Sequence, residues 1–151
     1  MRETTEGLGA RIGGQLYLAH RYARAATNAA LREHGIELRH LGVLSALAEA
    51  GPMNQRALVD RLQLDKSSMV YIIDELERQG LAERRRDPHD RRSYLVHLTD
   101  TGRDRLDAAT DAAAEVMDRL CEPLSGPERA GLSELLARFI GHAEGLNGPL
   151  S

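Results

Sequence analysis

The stretch LAERRRDPHDRRSYLVHL, residues 81–98, contains two short extended runs that flank an Asp-Pro-His-Asp turn. Asp at the first position and Pro at the second position of the turn favour a type I geometry. In the second run, aromatic and apolar residues recur with a period of two, which is the pattern of a half-buried strand. The stretch therefore predicts a β-hairpin with strands LAERRR (81–86) and SYLVHL (93–98).

The hairpin is basic, although the whole chain carries a net charge of -3. Residues 84–92 hold five arginines against two aspartates, so this segment alone is positive and the rest of the chain is acidic. A concentrated basic patch is the electrostatic footprint of a nucleic-acid binder. The alternative is a solvated hairpin tip whose arginines pair with acids.

Two short helices are predicted directly before the hairpin. Asn54 is a suitable N-cap for NQRALVDRL (54–62), and Asp65 is one for a helix over residues 66–79. Gly80 closes that helix at its C′ position. Two short helices joined by a tight turn form a helix-turn-helix, and the hairpin that follows makes the unit a winged helix.

Longer helices are predicted on both sides of this unit, because apolar residues recur at every third or fourth position. Thr99 is a suitable N-cap for the helix after the hairpin, and Ser125 with Glu128 forms a capping box. A helix of about 27 residues is about 40 Å long, which is more than a small winged unit needs. The apolar faces of these helices therefore predict packing against a second copy of the chain. The predicted ranges of these three helices are 8–34, 100–121 and 126–144, and a further helix over residues 39–50 belongs to the winged region.

The predicted fold class is mainly α with a small β-hairpin wing, arranged as one compact domain. Residues 36–98 form the winged helix-turn-helix region, which is the predicted DNA-binding region. Residues 1–35 and 99–145 form the helical dimerisation region. Residues 146–151 are predicted to be a flexible tail.

The composition argues against several classes of protein. There is no run of 18 apolar residues to span a membrane, and the first residues lack the apolar segment of a secretory signal. The single cysteine, Cys121, excludes an internal disulfide. No Ser-His-Asp set, phosphate loop, HExxH or CxxC motif supports an enzyme, and no cofactor is expected. These features predict a soluble, cytoplasmic protein that is not an enzyme.

Residues 53–102 carry several motifs in a fixed order. They are Leu-Glu-X-X-Gly-Leu at 76–81, Arg84, Asp-Arg-Arg at 90–92, and Leu98-Thr99 leading to Gly102. On these motifs the sequence resembles the MarR family of transcriptional regulators, and the resemblance extends more loosely over the whole chain. It implies a winged-helix homodimer that binds palindromic operator DNA. Many members release DNA when a phenolic or other lipophilic compound occupies a pocket near the dimer helices.

The predicted function is therefore a dimeric, sequence-specific DNA-binding regulator that is released by a small ligand. Repression is the commoner mode in the resembled family, so a repressor is expected. The alternative is a winged-helix module that binds protein without specific DNA binding, and the five arginines of the wing argue against it. A steep fall of DNA affinity with salt distinguishes the two.

The second helix of the helix-turn-helix is expected to enter the major groove with its N-terminal turn towards the DNA. Lys66, the only lysine, lies in that turn with two serines, for which capping is the alternative role. Tyr71 stands where the resembled family often has arginine, so it is expected to contact a phosphate or a thymine methyl instead. Asp65 is assigned to capping. The expected DNA contacts are Gln55, Arg56, Lys66, Ser67, Ser68, Tyr71, Arg84, Arg86, Arg91 and Arg92.

The resemblance also assigns roles within the wing. It implies that Arg92 enters the minor groove, where guanidinium groups suit A·T-rich DNA. Asp90 is expected to orient Arg92, and Arg91 is expected to lie on a phosphate. Arg84 and Arg86 alternate onto one face of their strand and are expected to hold either phosphate or Asp90.

A sensor for a small molecule is predicted on the first helix. Tyr17, His20 and Arg24 lie at i, i+3 and i+7, and His40 opens the second helix. Together these side chains suit an aromatic carboxylate or a phenol. The alternative is a solvated face with ordinary interhelical hydrogen bonds.

Thiol and metal sensing are not expected. The resembled hydroperoxide sensors carry a cysteine at the position of Tyr17, and Cys121 is interpreted as a buried apolar residue. The six histidines show no pairing at i and i+4, and residues 100–121, where zinc-sensing relatives carry histidines, contain none. No metal site is therefore predicted.

Overall fold

A computed structural model of the chain describes residues 5–148, and it shows six helices and one antiparallel hairpin in that range. The predicted fold class, mainly α with a small β-hairpin wing, is confirmed. The elements are α1 (Thr5–Arg32), α2 (Leu38–Ala50), α3 (Gln55–Leu62), α4 (Lys66–Arg78), β1 (Ala82–Asp87), β2 (Asp90–Leu98), α5 (Asp100–Leu120) and α6 (Gly126–Asn147). None of the helices within residues 5–148 is long and apolar enough to cross a membrane.

The helices begin where their capping residues predict. Each of these side chains accepts a hydrogen bond from a backbone N–H in the first turn, which otherwise has no partner. At α6 the predicted capping box is complete: the Ser125 N–H donates to Glu128 Oε1 (2.8 Å) and the Glu128 N–H donates to Ser125 Oγ (3.3 Å). The confirmed N-caps are Asn54, Asp65, Thr99 and Ser125.

The last helix is longer than predicted. Helix α6 continues to Asn147, so the first two residues of the predicted flexible tail, 146–151, are helical. The helix ends at Gly148, whose φ of +67° is a left-handed conformation that favours glycine, whereas Gly145 keeps an ordinary helical conformation. Residues 1–4 and 149–151 lie outside the described residues.

The hydrophobic core lies inside the winged unit, where α2, α3, α4 and the hairpin meet. Leu31 of α1 and Ala109 of α5 join this core, and α1 packs along α5. Burying these side chains supplies most of the stabilisation of the unit. The largest fully buried side chains are Leu31, Ile36, Leu44, Leu58, Met69, Ile72, Ile73, Leu76, Leu81 and Val43.

The hairpin extends further towards its tip than predicted. Strand β2 begins at Asp90 rather than at 93, and only residues 88 and 89 lie between the strands. The register pairs Arg84 with Val96 and Arg86 with Tyr94. Val96 also forms an isolated bridge with Met53, through hydrogen bonds of 3.2 and 2.8 Å, which the sequence did not predict. The base of the wing is thereby tied to the segment before α3.

A close backbone contact fixes the wing to α5. A Cβ at Gly102 would lie 1.9 Å from the Leu81 carbonyl oxygen, so only glycine fits at this position. The Thr99 hydroxyl donates to the Gly80 carbonyl (2.6 Å) beside it. The Leu98-Thr99…Gly102 motif is therefore a structural joint between wing and helix.

Candidate DNA-binding surface

The first turn of α4 is organised by Asp65. Its carboxylate accepts hydrogen bonds from the Ser68 N–H (2.8 Å) and from the Ser68 hydroxyl (2.7 Å). These bonds stabilise the charged form and hold the pKa of Asp65 below its ordinary value. The Ser68 side chain thus binds the capping carboxylate, and its contact with DNA stays a prediction. Lys66 and Ser67 remain exposed at the helix N-terminus.

One further side chain of α4 continues this exposed face. Tyr71 lies one turn after Ser67 and is 57% exposed, while the opposite face of α4 is buried in the core. At the start of α3, Gln55 is half-buried and Arg56 is exposed. Within residues 5–148 no carboxylate pairs with Arg56 or Lys66. The first turns of α3 and α4 thus carry two cationic side chains, Arg56 and Lys66, and the Ser67 hydroxyl, none of which has a side-chain partner among residues 5–148.

At the wing tip, Arg91 and Arg92 are exposed, and in the described part of the chain neither guanidinium forms an ion pair or a side-chain hydrogen bond. Asp90 accepts a hydrogen bond from the Arg92 backbone N–H (3.0 Å). Asp90 therefore fixes the backbone of Arg92 and does not neutralise the charge of the Arg92 guanidinium.

The other three arginines of the wing have partners within the chain. Arg84 forms ion pairs with carboxylates of α4, and Arg85 pairs with Glu83 on its own strand. The guanidinium of Arg86 lies 5.8 Å from the ring centroid of Tyr94 and donates to the Arg91 carbonyl. Neither Arg84 nor Arg86 contacts Asp90, so of the two expected partners, phosphate and Asp90, the structure does not show the second.

The structure divides the predicted ligand-binding residues between two sites. Tyr17, His20 and Arg24 are exposed and line one shallow pocket on α1. His40 is only 7% exposed and lines a different pocket, beside Tyr71. The predicted grouping of all four side chains is therefore wrong, because His40 faces the start of its own helix.

The ring of His40 closes the N-terminus of α2. Its Nδ1 accepts a hydrogen bond from the Glu37 N–H (3.0 Å), so the proton of the neutral ring lies on Nε2. Burial and the charge of Arg39 lower the pKa of His40, which Glu75 and Glu37 raise more weakly. The spacing of three residues between Glu37 and His40 was the sequence signal for this role.

A polar junction joins the end of α4 to the helices around it. The Gln79 side chain donates to the Gly35 carbonyl (2.7 Å) and accepts from Arg105 of α5 (3.1 Å). Arg105 also donates to the His34 carbonyl. Gly35 has a φ of +73°, and a Cβ there would meet Gln79 Oε1 at 2.9 Å. The α1–α2 turn, α4 and α5 thus meet at one cluster that sequence reasoning missed.

The remaining sensor candidates have simpler environments. Cys121 lies just after α5 at a helix end, as predicted, and is half-buried rather than buried. No group of three His, Cys, Asp or Glu side chains suited to hold a metal ion occurs among the residues that the structure describes.

A sequence model of the MarR family matches residues 34–93. The uncharacterized HTH-type transcriptional regulator YkoM of Bacillus subtilis is 36% identical over 115 residues, which cover 76% of this chain and 75% of YkoM. The chain belongs to the MarR family. It is a DNA-binding transcriptional regulator, and the family it belongs to consists of regulators rather than enzymes.

Two further MarR-family comparisons bear on regulation. The HTH-type transcriptional repressor NicR of Pseudomonas putida is 31% identical over 97 residues, which cover 64% of this chain and 61% of NicR. The crystal structure of CouR from Rhodococcus jostii RHA1, bound to p-coumaroyl-CoA, matches with a TM-score of 0.76 at 28% identity. That match covers 97% of this chain and 99% of CouR.

Proposed function

We propose that this MarR-family chain is a homodimeric repressor that binds a palindromic operator in the cytoplasm and releases it when a small aromatic compound binds. The observation that carries the proposal is the exposed first turn of α4 together with two exposed wing-tip arginines, Arg91 and Arg92, which have no ion-pair partner among residues 5–148. A helix N-terminus with unpaired donors suits the major groove, and unpaired guanidinium groups suit the minor groove.

In the major groove, α4 acts as the recognition helix. Lys66 and Ser67 contact phosphates and base edges from its first turn, and Tyr71 contacts a phosphate or a thymine methyl. Gln55 and Arg56 of α3 hold the adjacent phosphate backbone. Ser68 supports this surface through the cap rather than through a base.

In the minor groove, Arg92 is the probe and Arg91 holds the neighbouring phosphate. Their charges are available to DNA because Asp90 binds backbone rather than guanidinium. Arg86 lies over Tyr94 behind the tip, where it adds positive potential and supports the hairpin.

Dimerisation follows from the surface that the single chain leaves exposed. Among the described residues of α6 none is buried, although Leu135, Phe139 and Ile140 lie on this helix and are each more than half exposed. Leu18 and Tyr22 of α1 are exposed as well. A second copy would cover both helices and place two recognition helices about 34 Å apart, one turn of DNA.

The pocket of Tyr17, His20 and Arg24 is the proposed effector site. It lies on α1, whose exposed apolar residues belong to the proposed dimer surface, so the partner copy would help to close it. A phenol, an imidazole and a guanidinium suit an aromatic ring that carries an acidic or carbonyl group. CouR, with its bound p-coumaroyl-CoA, supports this class of ligand, and the name of NicR supports repression.

The proposal is tested by selecting binding sites from a random DNA library with the wild-type protein and with Arg92→Ala. We expect the wild type to enrich a palindrome, and Arg92→Ala to lose about tenfold in affinity, mainly at A·T-rich flanks. Arg85→Ala is the matched control, because it removes the same charge from the hairpin but takes an arginine already paired with Glu83. If the wild type enriches no motif, the protein-binding module is the better account.

A further inference from the structure

Arg84 is held more closely than any other arginine of the wing. Its Nη2 lies 2.6 Å from Asp74 Oδ1, and its Nη1 lies 3.1 Å from Glu77 Oε2. The Arg84 backbone N–H also approaches Glu77 Oε2, at 3.3 Å. The side chain is 28% exposed, compared with 62% for Arg85. Three contacts from one residue therefore join β1 to the recognition helix.

The carboxylates of Asp74 and Glu77 lie where one guanidinium can bind both. Asp74 and Glu77 are three residues apart on α4, so they lie on the same face of the helix. A guanidinium presents several donors in one plane and can bind both acids at once, which the single ammonium of lysine cannot match. Each contact alone would be weak at the surface, but together they fix a direction for the hairpin.

These contacts also remove Arg84 from the surface offered to DNA. A phosphate would have to displace Asp74 and Glu77, and both acids would repel it. On the opposite strand, the register partner of Arg84 is Val96, which is buried and bridged to Met53. The base of the wing is thus held by the core through Val96 and by α4 through Arg84, while the tip arginines stay unpaired.

We propose that Arg84 is a positioning residue, which sets the angle between the wing and the recognition helix through Asp74 and Glu77 without touching DNA. This inference rests on the proposed DNA-binding mode, because the angle matters only if the tip and α4 engage one site together. It reassigns a residue whose charge and face of the strand predicted a contact with phosphate or with Asp90.

A first experiment needs no DNA. Amide hydrogen exchange is compared in the free wild type, Arg84→Gln and the control Arg85→Gln. We expect Arg84→Gln to speed exchange at least several-fold at the hairpin amides, with α2 and the core amides unchanged, and Arg85→Gln to leave the hairpin as it is. Equal hairpin protection in wild type and Arg84→Gln overturns the positioning role, whatever the protein does with DNA.

A second experiment uses the operator recovered by selection. For a phosphate-binding Arg84, removing both acids in Asp74→Asn/Glu77→Gln would strengthen DNA binding, because two negative charges leave the interface. For a positioning Arg84, the same double variant weakens binding by about fivefold or more, and adding Arg84→Gln to it changes little more. Tighter binding by the double variant overturns the inference.

Arg84→Lys adds a check that does not depend on net charge. A lysine retains most of a phosphate contact but cannot hold both acids, so we expect Arg84→Lys to behave like Arg84→Gln. Near wild-type affinity of Arg84→Lys contradicts the inference. Failure of the wild type to recover any operator instead rejects the proposed function, and the exchange experiment still judges Arg84.

Discussion

At the scale of single residues, the partner of a side chain lies either a few residues away along the chain or on another element. Asn54, Asp65, Thr99 and Ser125 cap helices because each accepts from a backbone N–H only three residues away, and such spacing is visible in a sequence. The partners of Arg84 lie seven and ten residues away, on another element. Nothing in residue type distinguishes such an arginine from one that meets DNA.

His40 carries a prediction about pH. Its pKa in the folded chain lies below the ordinary value of 6.5, so the unfolded chain binds this proton more readily. The stabilising contribution of neutral His40 is complete above about pH 6.5 and is lost as the pH falls through the lowered pKa. His40→Gln retains a capping-box acceptor but cannot titrate. We expect the free energy of unfolding to fall less between pH 7.5 and 5.5 in this variant than in the wild type.

Urea unfolding across this pH range measures the effect, and His89→Gln is the matched control. His89 is exposed in the hairpin turn, so its replacement removes one histidine without touching the N-terminus of α2. An unchanged pH dependence in His40→Gln would show that protonation of His40 does not oppose folding.

At the scale of elements, helix limits were predicted to within a few residues, whereas the strands reached further than their apolar pattern. Residues 87 and 90–92 are charged, so the alternation that marks a half-buried strand stops before them. Asp87 nevertheless pairs with Asp90 beside the turn, whereas Arg91 and Arg92 lie at a register shift between that pair and the Arg86–Tyr94 pair. The Met53–Val96 bridge was missed for a related reason, since one isolated pair leaves no periodic signal.

Helix α1 carries the prediction about the effector. In the presence of an active aromatic acid or phenol, we expect the operator affinity of the wild type to fall. Arg24→Ala should weaken this response about tenfold or more in compound concentration, because a charged hydrogen bond to the ligand is lost. Titration of the compound against a fluorescent operator measures the response.

Arg11→Ala is the control for this experiment, since it removes an exposed arginine from the same helix outside the pocket. If aromatic acids and phenols neither release DNA nor raise the melting temperature, the pocket on α1 is a solvated face. An equal response in wild type and Arg24→Ala would place the effector elsewhere.

At the scale of the whole molecule, the sequence predicted a winged unit inside a helical frame, and the structure has this order of elements. How two copies meet is a proposal, because one chain shows only which apolar faces it leaves uncovered. The junction of Gln79, Arg105 and the α1–α2 turn was also beyond sequence reasoning, since its members are up to 71 residues apart. Through that junction the α1–α2 turn and α5 contact the residue that ends the recognition helix.

The proposed dimer predicts that charges on the apolar face of α6 prevent dimerisation. Leu135→Glu/Phe139→Glu places two charges on the exposed apolar face of α6, which a second copy could then cover only at the cost of burying them. We expect sedimentation to show monomers, and operator affinity to fall about a hundredfold because the half-sites are no longer bound together. Ala50→Glu, at an exposed position in the winged unit, should remain dimeric. A wild type that sediments as a monomer would contradict the dimer itself.

The exposure of Lys66 has a practical consequence. No other lysine occurs in the sequence, so an amine-reactive reagent finds one side-chain target, in the first turn of the recognition helix. The rate of acylation at this position would show how accessible the first turn of α4 is, without a substitution or a tag. The degree to which an oligonucleotide protects that amine would map the docked face directly, by mass spectrometry of a single peptide.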